Sequence, residues 1–392
     1  MKWVLQAKAW LTVATGFAML TLSACGGGGS SNGAAASPSG NGGAVVPATP
    51  AAVPVQSQVL AAGTGYSLAV TSTGQIKTWG SGMHGTIATS LPIAAVGTAH
   101  WGTELHASWA ISSTGDLLYW GDDAAGKLTA QSVVLSGVGQ VAAVRACGSG
   151  QGALLYVLKS DGTVWAVPAW GITPASKGFA VANVGVAKAL GEGTDASCSG
   201  MLAIGQDGSV WQLQASNPVD AAGVPTQAHG VAVAGLSQIS QAACSVSSCL
   251  AVDGVGQVMA WGNNDAGQLG DGTRSASTAP LIVNVPKARK VMMTAAGAAY
   301  AITDSGALYG WGLLDGRVKS TSIGGLGTAP TLILGDAFGV QSLAVSPSAT
   351  AHTLVLFGEG LIAGWGQNAS GEVSALTGAS LIDLTPTGVS LQ

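Results

Sequence analysis

Charge is what this chain has least of. Asp, Glu, Lys and Arg make up 8% of its 392 residues, against about 25% in an ordinary globular chain. The 14 Lys and Arg stand against 18 Asp and Glu, a formal charge of −4, which excludes the basic field a nucleic-acid surface needs. Disorder of the bulk is excluded too, because 47% of the residues are hydrophobic and disorder requires low hydrophobicity with high net charge. Beyond the first 25 residues no apolar run approaches the ~20 needed to cross a bilayer. There is no CxxC pair, and the histidines at 84, 100, 106, 229 and 352 form no HExxH or HxxxH, so neither zinc nor dithiol chemistry is signalled. What the chain has in plenty is glycine, 60 residues, and tryptophan, 12.

The N-terminus reads as an address. Lys2 and Lys8 precede an apolar run over residues 9–22, followed by small residues and a cysteine, the order of a secretory signal. Leu22-Ser23-Ala24-Cys25 resembles the lipobox of bacterial lipoproteins, whose cysteine is acylated and becomes the new N-terminus. The resemblance implies a signal peptide over residues 1–24, a lipid on Cys25 and attachment to a membrane. Gly26, where some inner-membrane lipoproteins carry Asp, favours the outer membrane. Loss of Lys2 and Lys8 leaves 12 basic against 18 acidic residues. Residues 26–57 hold no charge and are mostly Gly, Ser, Ala, Pro, Val and Thr, so 25–57 is expected to be a flexible tether with a reach on the order of 30 Å. Gly29-Ser30-Ser31-Asn32-Gly33 fits GxSxG, but such a segment cannot make the strand-to-helix turn of a nucleophile elbow.

From residue 58 to 392 the chain repeats. Each unit is a small-residue strand, a turn, a second strand and then Gly-x-apolar-x-x-Trp-Gly. The repeat glycines are Gly74, Gly115, Gly162, Gly208, Gly256, Gly306 and Gly360, so the period is about 48 residues. Five units keep the tryptophan, as Trp79, Trp120, Trp261, Trp311 and Trp365; the third and fourth have Val167-Pro168 and Leu213-Gln214 in the Trp-Gly place. Paired short apolar runs around Ser/Thr/Asp-Gly signal hairpins, and a 40–50-residue β period means propeller blades. The expectation is an all-β fold, a seven-bladed β-propeller. Because a ring of blades needs its edges covered, closure is expected from sequence-distant ends: strand material near Leu381, Leu384, Val389 and Leu391 beside residues near Val59.

The fifth unit, Trp261-Gly262-Asn263-Asn264-Asp265-Ala266-Gly267-Gln268-Leu269-Gly270, resembles the WGxNxxGQLG loop of the regulator of chromosome condensation repeat, a family of seven-bladed propellers. His352 occupies the histidine position this family favours before the second strand. The resemblance implies a scaffold whose members differ in function: the eukaryotic founder acts on a nuclear GTPase and chromatin, and a similar propeller is a secreted bacterial inhibitor of β-lactamases.

Candidate chemistry is sparse. Residues 121–127 satisfy GxxxxGK, yet Leu128 stands where Mg²⁺ would need Ser or Thr, and no helix follows to take phosphate; nucleotide binding is not expected. The loop from Asp265 to Asp271 lacks the alternating oxygen ligands of a calcium site. No cofactor, metal or catalytic residue is assigned. The periodic tryptophans are expected to pack between blades, which leaves Trp101, Trp109 and Trp170 as the better ligand-contact candidates. Beside Cys25 there are four cysteines, an even number allowing three pairings. Cys244 and Cys249 flank a hairpin turn and so suit a local bridge, which would pair Cys147 with Cys198 in adjacent blades; buried free thiols are the alternative. The reading that results is a non-enzymatic, membrane-tethered scaffold for an unidentified envelope protein, contacted through the longer loops at 274–280 and 317–328. A glycan-binding or glycan-cleaving propeller and an inhibitor of a secreted enzyme are the alternatives.

Overall fold

A computed structural model describes residues 51–390, apart from 81–84, 88, 102–103, 121–132, 149–151, 170–171, 194–197, 221–222, 315–324, 347–351, 359, 369–370 and 374–382. The signal segment, Cys25, most of the expected tether, the GxxxxGK segment and Trp170 lie outside the described residues.

Seven antiparallel sheets follow one another along the chain. Blade 1 opens with the innermost strand Leu60–Ala62, blade 2 with Ile93–Trp101, blade 3 with Val141–Cys147, blade 4 with Ala187–Leu190, blade 5 with Ile239–Cys244, blade 6 with Ala288–Met293 and blade 7 with Val340–Val345. Each blade contacts the next, and blade 7 contacts blade 1, so the seven-bladed propeller is a closed ring.

The glycine period has a direct mechanical cause. All seven repeat glycines sit at φ of 75–87° in the turn between the second and third strands, a conformation that suits Gly and strains other residues. It aims the glycine carbonyl at the next blade. The first residue of each following innermost strand donates its N–H there at 2.8–3.0 Å: Ile93 to Gly74, Val141 to Gly115, Ala187 to Gly162, Ile239 to Gly208, Ala288 to Gly256 and Val340 to Gly306.

The core is divided among the seams. One buried apolar cluster lies between each pair of adjacent blades, from Tyr66, Leu68, Val96 and Leu118 at seam 1/2 to Leu60, Trp79, Leu354 and Ile362 at seam 7/1. Ring closure therefore differs from the expectation. Apart from the short Glu192–Gly193, which joins the sheet of blade 5, every blade is made of consecutive strands, and among the described residues Asp383–Ser390, the outermost strand of blade 7, pairs only with Leu361–Gly366. Among the described residues no strand crosses from one terminus into the other's blade, and seam 7/1 is fastened by the same kind of side-chain contacts as its neighbours. The exposed outer edges are blunted instead by Pro280, Pro330 and Pro386 in the outermost strands of blades 5, 6 and 7, since proline withholds the donor that an invading strand would use.

The ring also starts earlier than composition suggests. Val53 is buried against Ala142, Ala143 and Ala187, and Val55 packs into the cluster holding Ala95. Val53 donates its N–H to Ser160 and Gln56 to Ala142, both at 2.7 Å, while the Gln56 amide reaches the Lys188 carbonyl at 2.7 Å. Residues 53–58 thus form a strap over the innermost strands of blades 2 to 4. Alanines on those strands leave room for it.

Candidate functional site

The antiparallel order gives the ring two faces. The repeat-glycine hairpins and the strap lie on one, the hairpin face. On the other, the loop face, lie the turns after the innermost strands and the long connections after each Trp-Gly.

The fifth-blade connection is the best-built loop. Asn264 is fully buried; its side-chain oxygen accepts the Leu269 N–H at 2.9 Å and its amide donates to the carbonyls of Thr273 and Ser275 at 3.2 and 3.1 Å. Gln268, also buried, accepts from the Ala266 N–H at 2.8 Å and donates to Asn263 Oδ1 at 2.9 Å. Gly262 must be glycine, for its φ is 108° and a Cβ would stand 2.3 Å from the Ser247 carbonyl. On this rigid base residues 271–276, including Asp271 and Arg274, are exposed. Partial burial works to raise the Asp271 carboxyl, but hydrogen bonds from Thr273 and Asn264 outweigh it and hold the group below the usual range.

The same loop locks the next blade. The indole of Trp311 donates to the Gln268 carbonyl at 2.9 Å. At seam 7/1 the arrangement recurs with different letters: Asn368 Oδ1 accepts the Val373 N–H at 2.8 Å, and the Glu372 carbonyl accepts both Trp79 Nε1 and Ser67 Oγ at 2.8 Å. Because the Ser67 proton is spent there, His352 Nε2, 2.8 Å from Ser67 Oγ, must be the donor in that contact. Burial drives the His352 pKa down to about 3, so the ring is neutral. Ser67 and His352 are 0% and 1% exposed, a sealed pair that holds blade to blade and meets no substrate. Trp120 and Trp365 are equally buried, yet their indole N–H groups have no partner among the described residues. The loops of the blades before them carry Gly82 and Leu314 where Asn264 and Asn368 stand.

Blades 3 and 4 lack the tryptophan, and other contacts appear there. After its innermost strand, blade 4 runs on as Glu192–Gly193, which pairs in parallel with Ala243 and Cys244 of blade 5. Glu192 meets Arg145 of blade 3 at 2.9 Å and Lys290 of blade 6 at 3.6 Å. Arg145 also donates to the carbonyls of Gly191 and Val144 at 3.1 and 2.7 Å, and Lys290 stands 3.5 Å from the Ser342 hydroxyl of blade 7. Desolvation pushes the Glu192 carboxyl up, but the two cations overcome it and the net direction is down. Further along, Cys198 is bonded to Cys147 of blade 3 and the Ser199 hydroxyl donates to the Val246 carbonyl of blade 5 at 3.0 Å. Residues 191–201, as far as described, form a clasp touching blades 3, 5 and 6. Cys244 and Cys249, opposite each other in one hairpin, make the second disulfide.

Two tryptophan expectations need correction. Trp261 is only half-buried, although it packs on the apolar cluster of seam 4/5 as expected. Trp109, expected to be free for a ligand, is 2% exposed and fills space kept open by Gly97, where a Cβ would fall 2.0 Å from its ring. Sequence reasoning missed Arg145, Glu192 and Lys290 altogether. Each lies on an inner strand of a different blade, Lys290 beside Arg289, and only the ring brings them together. Among the described residues no group of His, Cys, Asp and Glu is placed to hold a metal.

Residues 255–302 match the regulator of chromosome condensation (RCC1) repeat. The chain is 40% identical over 98 residues to the ultraviolet-B receptor UVR8 of Arabidopsis thaliana, covering 24% of this chain and 20% of that protein. It is 37% identical over 65 residues to the human E3 ubiquitin-protein ligase HERC2, covering 17% and 1%. The chain thus spans a fifth or less of the length of these curated relatives. Among solved structures it is similar to Prp20p of Saccharomyces cerevisiae, with a TM-score of 0.53 at 16% identity over 73% of this chain and 79% of that one, and to human WBSCR16, with a TM-score of 0.54 at 16% identity over 75% and 86%. The resemblance seen in the fifth unit is borne out: the chain carries the RCC1 repeat on a seven-bladed propeller.

Proposed function

We propose that this propeller is a binding scaffold whose loop face recognises a protein partner, and that a lipid on Cys25 holds it to a bacterial envelope membrane, the outer one for preference. The observation that carries the first part is the fifth-blade loop: six consecutive exposed residues, 271–276, stand on a base whose polar atoms are internally bonded. Preorganised loops on a stiff scaffold bind without a large ordering cost. The solved relative Prp20p is described with binding properties toward Gsp1p and histones, and yeast RCC1 with Kap60 bound, which supports a protein as the class of partner. Burial of Trp109 removes one of the aromatic contacts on which a glycan-directed reading leaned.

Crosslinking in the native envelope tests the scaffold reading. Alanine at the exposed Arg274 and Ser275 should abolish the crosslinked species while the melting temperature stays within about 2 °C, the range expected of exposed substitutions. Equal crosslinking by the variant overturns the assignment of this loop. For the anchor, Cys25→Ala should move the protein out of the detergent phase or trap the precursor; unchanged partitioning refutes it.

A further inference from the structure

We propose that the axis of the ring binds a small oxyanion, inorganic phosphate being the simplest, between Lys290, Ser342 and Arg145. In a chain with more acidic than basic residues, the seven innermost strands hold no Asp or Glu, and their Lys and Arg are Arg145, Lys188, Arg289 and Lys290. Strands that converge on one axis concentrate that positive charge. Glu192, just beyond the innermost strand of blade 4, is the one carboxylate that the described residues bring against it there.

Glu192 cannot serve both of its cations. A single oxygen, Oε1, faces Arg145 at 2.9 Å and Lys290 at 3.6 Å, and a charge-assisted hydrogen bond needs about 2.7–2.9 Å. The carboxylate is therefore committed to the guanidinium. The Lys290 ammonium keeps that long contact and the Ser342 hydroxyl at 3.5 Å, neither of which spends one of its three protons at full strength. Gln241 of blade 5 cannot answer it, because its amide nitrogen donates to the carbonyls of Ala242 and Val291 and its oxygen accepts the Val291 N–H. Two cations and one carboxylate leave a net charge of +1 on side chains only 10%, 20% and 14% exposed. Such a charge is costly without a matched partner, and an anion that meets it is screened less than in open water. The same exposures show that solvent reaches the cluster, which is how an ion would arrive. Several acceptor oxygens suit the place better than one, since an ammonium, a hydroxyl and the remaining N–H groups of Arg145 all converge on it. One bound oxyanion would join blades 3, 6 and 7 across the axis.

Isothermal titration calorimetry of the whole mature chain with inorganic phosphate, at pH 7.5 and at an ionic strength held constant with sodium chloride, tests this. A single saturable site is expected, and the melting temperature should rise with phosphate as the site fills. Lys290→Gln should weaken binding by roughly tenfold or more. Glu192→Gln should tighten it by a similar factor, because the competing negative charge is gone, and phosphate should restore part of the stability that this variant loses. Ser342→Asp, which fixes a carboxylate beside the ammonium, should abolish binding, whereas Lys177→Gln, exposed and off the axis, should bind as the wild type does. No saturable binding, equal binding by Lys290→Gln, weaker binding by Glu192→Gln or a loss in Lys177→Gln as large as in Lys290→Gln would each overturn the proposal. If Lys290→Gln does not fold, wild-type binding and its loss in Ser342→Asp decide the matter.

Discussion

His352 should make ring closure sensitive to mild acid. Its imidazole is 1% exposed, donates to Ser67 across seam 7/1 and is held neutral by burial, with its pKa lowered from 6.5 to about 3. The unfolded chain takes up a proton near pH 6.5, whereas the folded one does so only near pH 3. Between those values the unfolded state therefore binds one more proton, and stability falls as pH falls, by about 1.4 kcal/mol per unit. From pH 7.5 to 5.0 the loss from this residue is about 2 kcal/mol; above pH 6.5 it vanishes. Urea unfolding followed by tryptophan fluorescence at the two pH values, for wild type and His352→Gln, isolates the effect, because every other titrating group is common to both. Glutamine can still donate to Ser67, so the variant should keep a closed ring at pH 7.5 and lose about 2 kcal/mol less than wild type on acidification. Parallel losses in the two proteins would refute the reasoning, since they would mean that the folded ring accepts a proton at no cost.

The tryptophans should rank by their indole partners when replaced by phenylalanine: Trp311 most costly, because it leaves the Gln268 carbonyl without its indole donor at about 1–3 kcal/mol; Trp79 less, because Ser67 still serves the Glu372 carbonyl; and Trp365 least, because its N–H has no described partner to lose. Denaturant midpoints at pH 7.5 give the order, and a Trp365 variant as weak as the Trp311 variant contradicts it. Glu192→Gln should cost about 3 kcal/mol by stranding the largely buried Arg145. Because the folded carboxyl sits below its ordinary value, its stabilisation is present above the ordinary glutamate range and is lost as pH falls through the folded value; wild type and variant should converge in acid, and a gap that persists there disproves the ion pair's role. Asn264→Ala removes the bonds that shape residues 264–275, so limited proteolysis should cut that loop first; cleavage elsewhere before it would show that the loop is ordered by something else.

Much of the fold was legible because its causes are local. Each hairpin glycine is needed for its own turn, so Gly74 to Gly360 mark all seven blades whatever the rest of the unit does. The disulfide candidates were legible for the same reason, as a hairpin pair and a remaining pair. What lay hidden depends on a residue in another blade. Trp120 and Trp311 carry the same motif and are equally buried, but only Trp311 has a described indole partner, because that partner is set by the loop of the preceding blade. That signal was present in the sequence as an asparagine three residues after the earlier tryptophan position, found at Asn264 and Asn368 and missing at Gly82 and Leu314. The strap was hidden by composition, since a run of Ala, Val, Pro, Gln and Ser reads as a linker until the alanines it rests on are known. The axial charges at 145, 192 and 290 stand about one and two repeat periods apart, but nothing in the chain marks those three positions as meeting at the axis.

A closed ring distributes its fastenings unequally, and the inequality points to where change is tolerated. All seams share an apolar cluster, and seams 1/2 to 6/7 share the glycine–carbonyl bond, so neither distinguishes those six seams from one another. The described tryptophan locks fall at 5/6 and 7/1. Blades 3 and 4, which carry neither tryptophan nor its asparagine loop, are tied by a strap on the hairpin face and by a clasp, an ion cluster and a disulfide toward the loop face. These ties are made by residues unlike those they replace, and they act at the axis and the inner turns, whereas the tryptophan locks use the outer connections. The outer connection of blade 3 fastens seam 2/3 in its own way, with Ala169 and Ile172 in the apolar cluster and the Pro174 carbonyl accepting from Ser136 of the blade 2 side, while the fifth-blade loop must keep Asn264 and Gln268 and can vary only at its exposed tip.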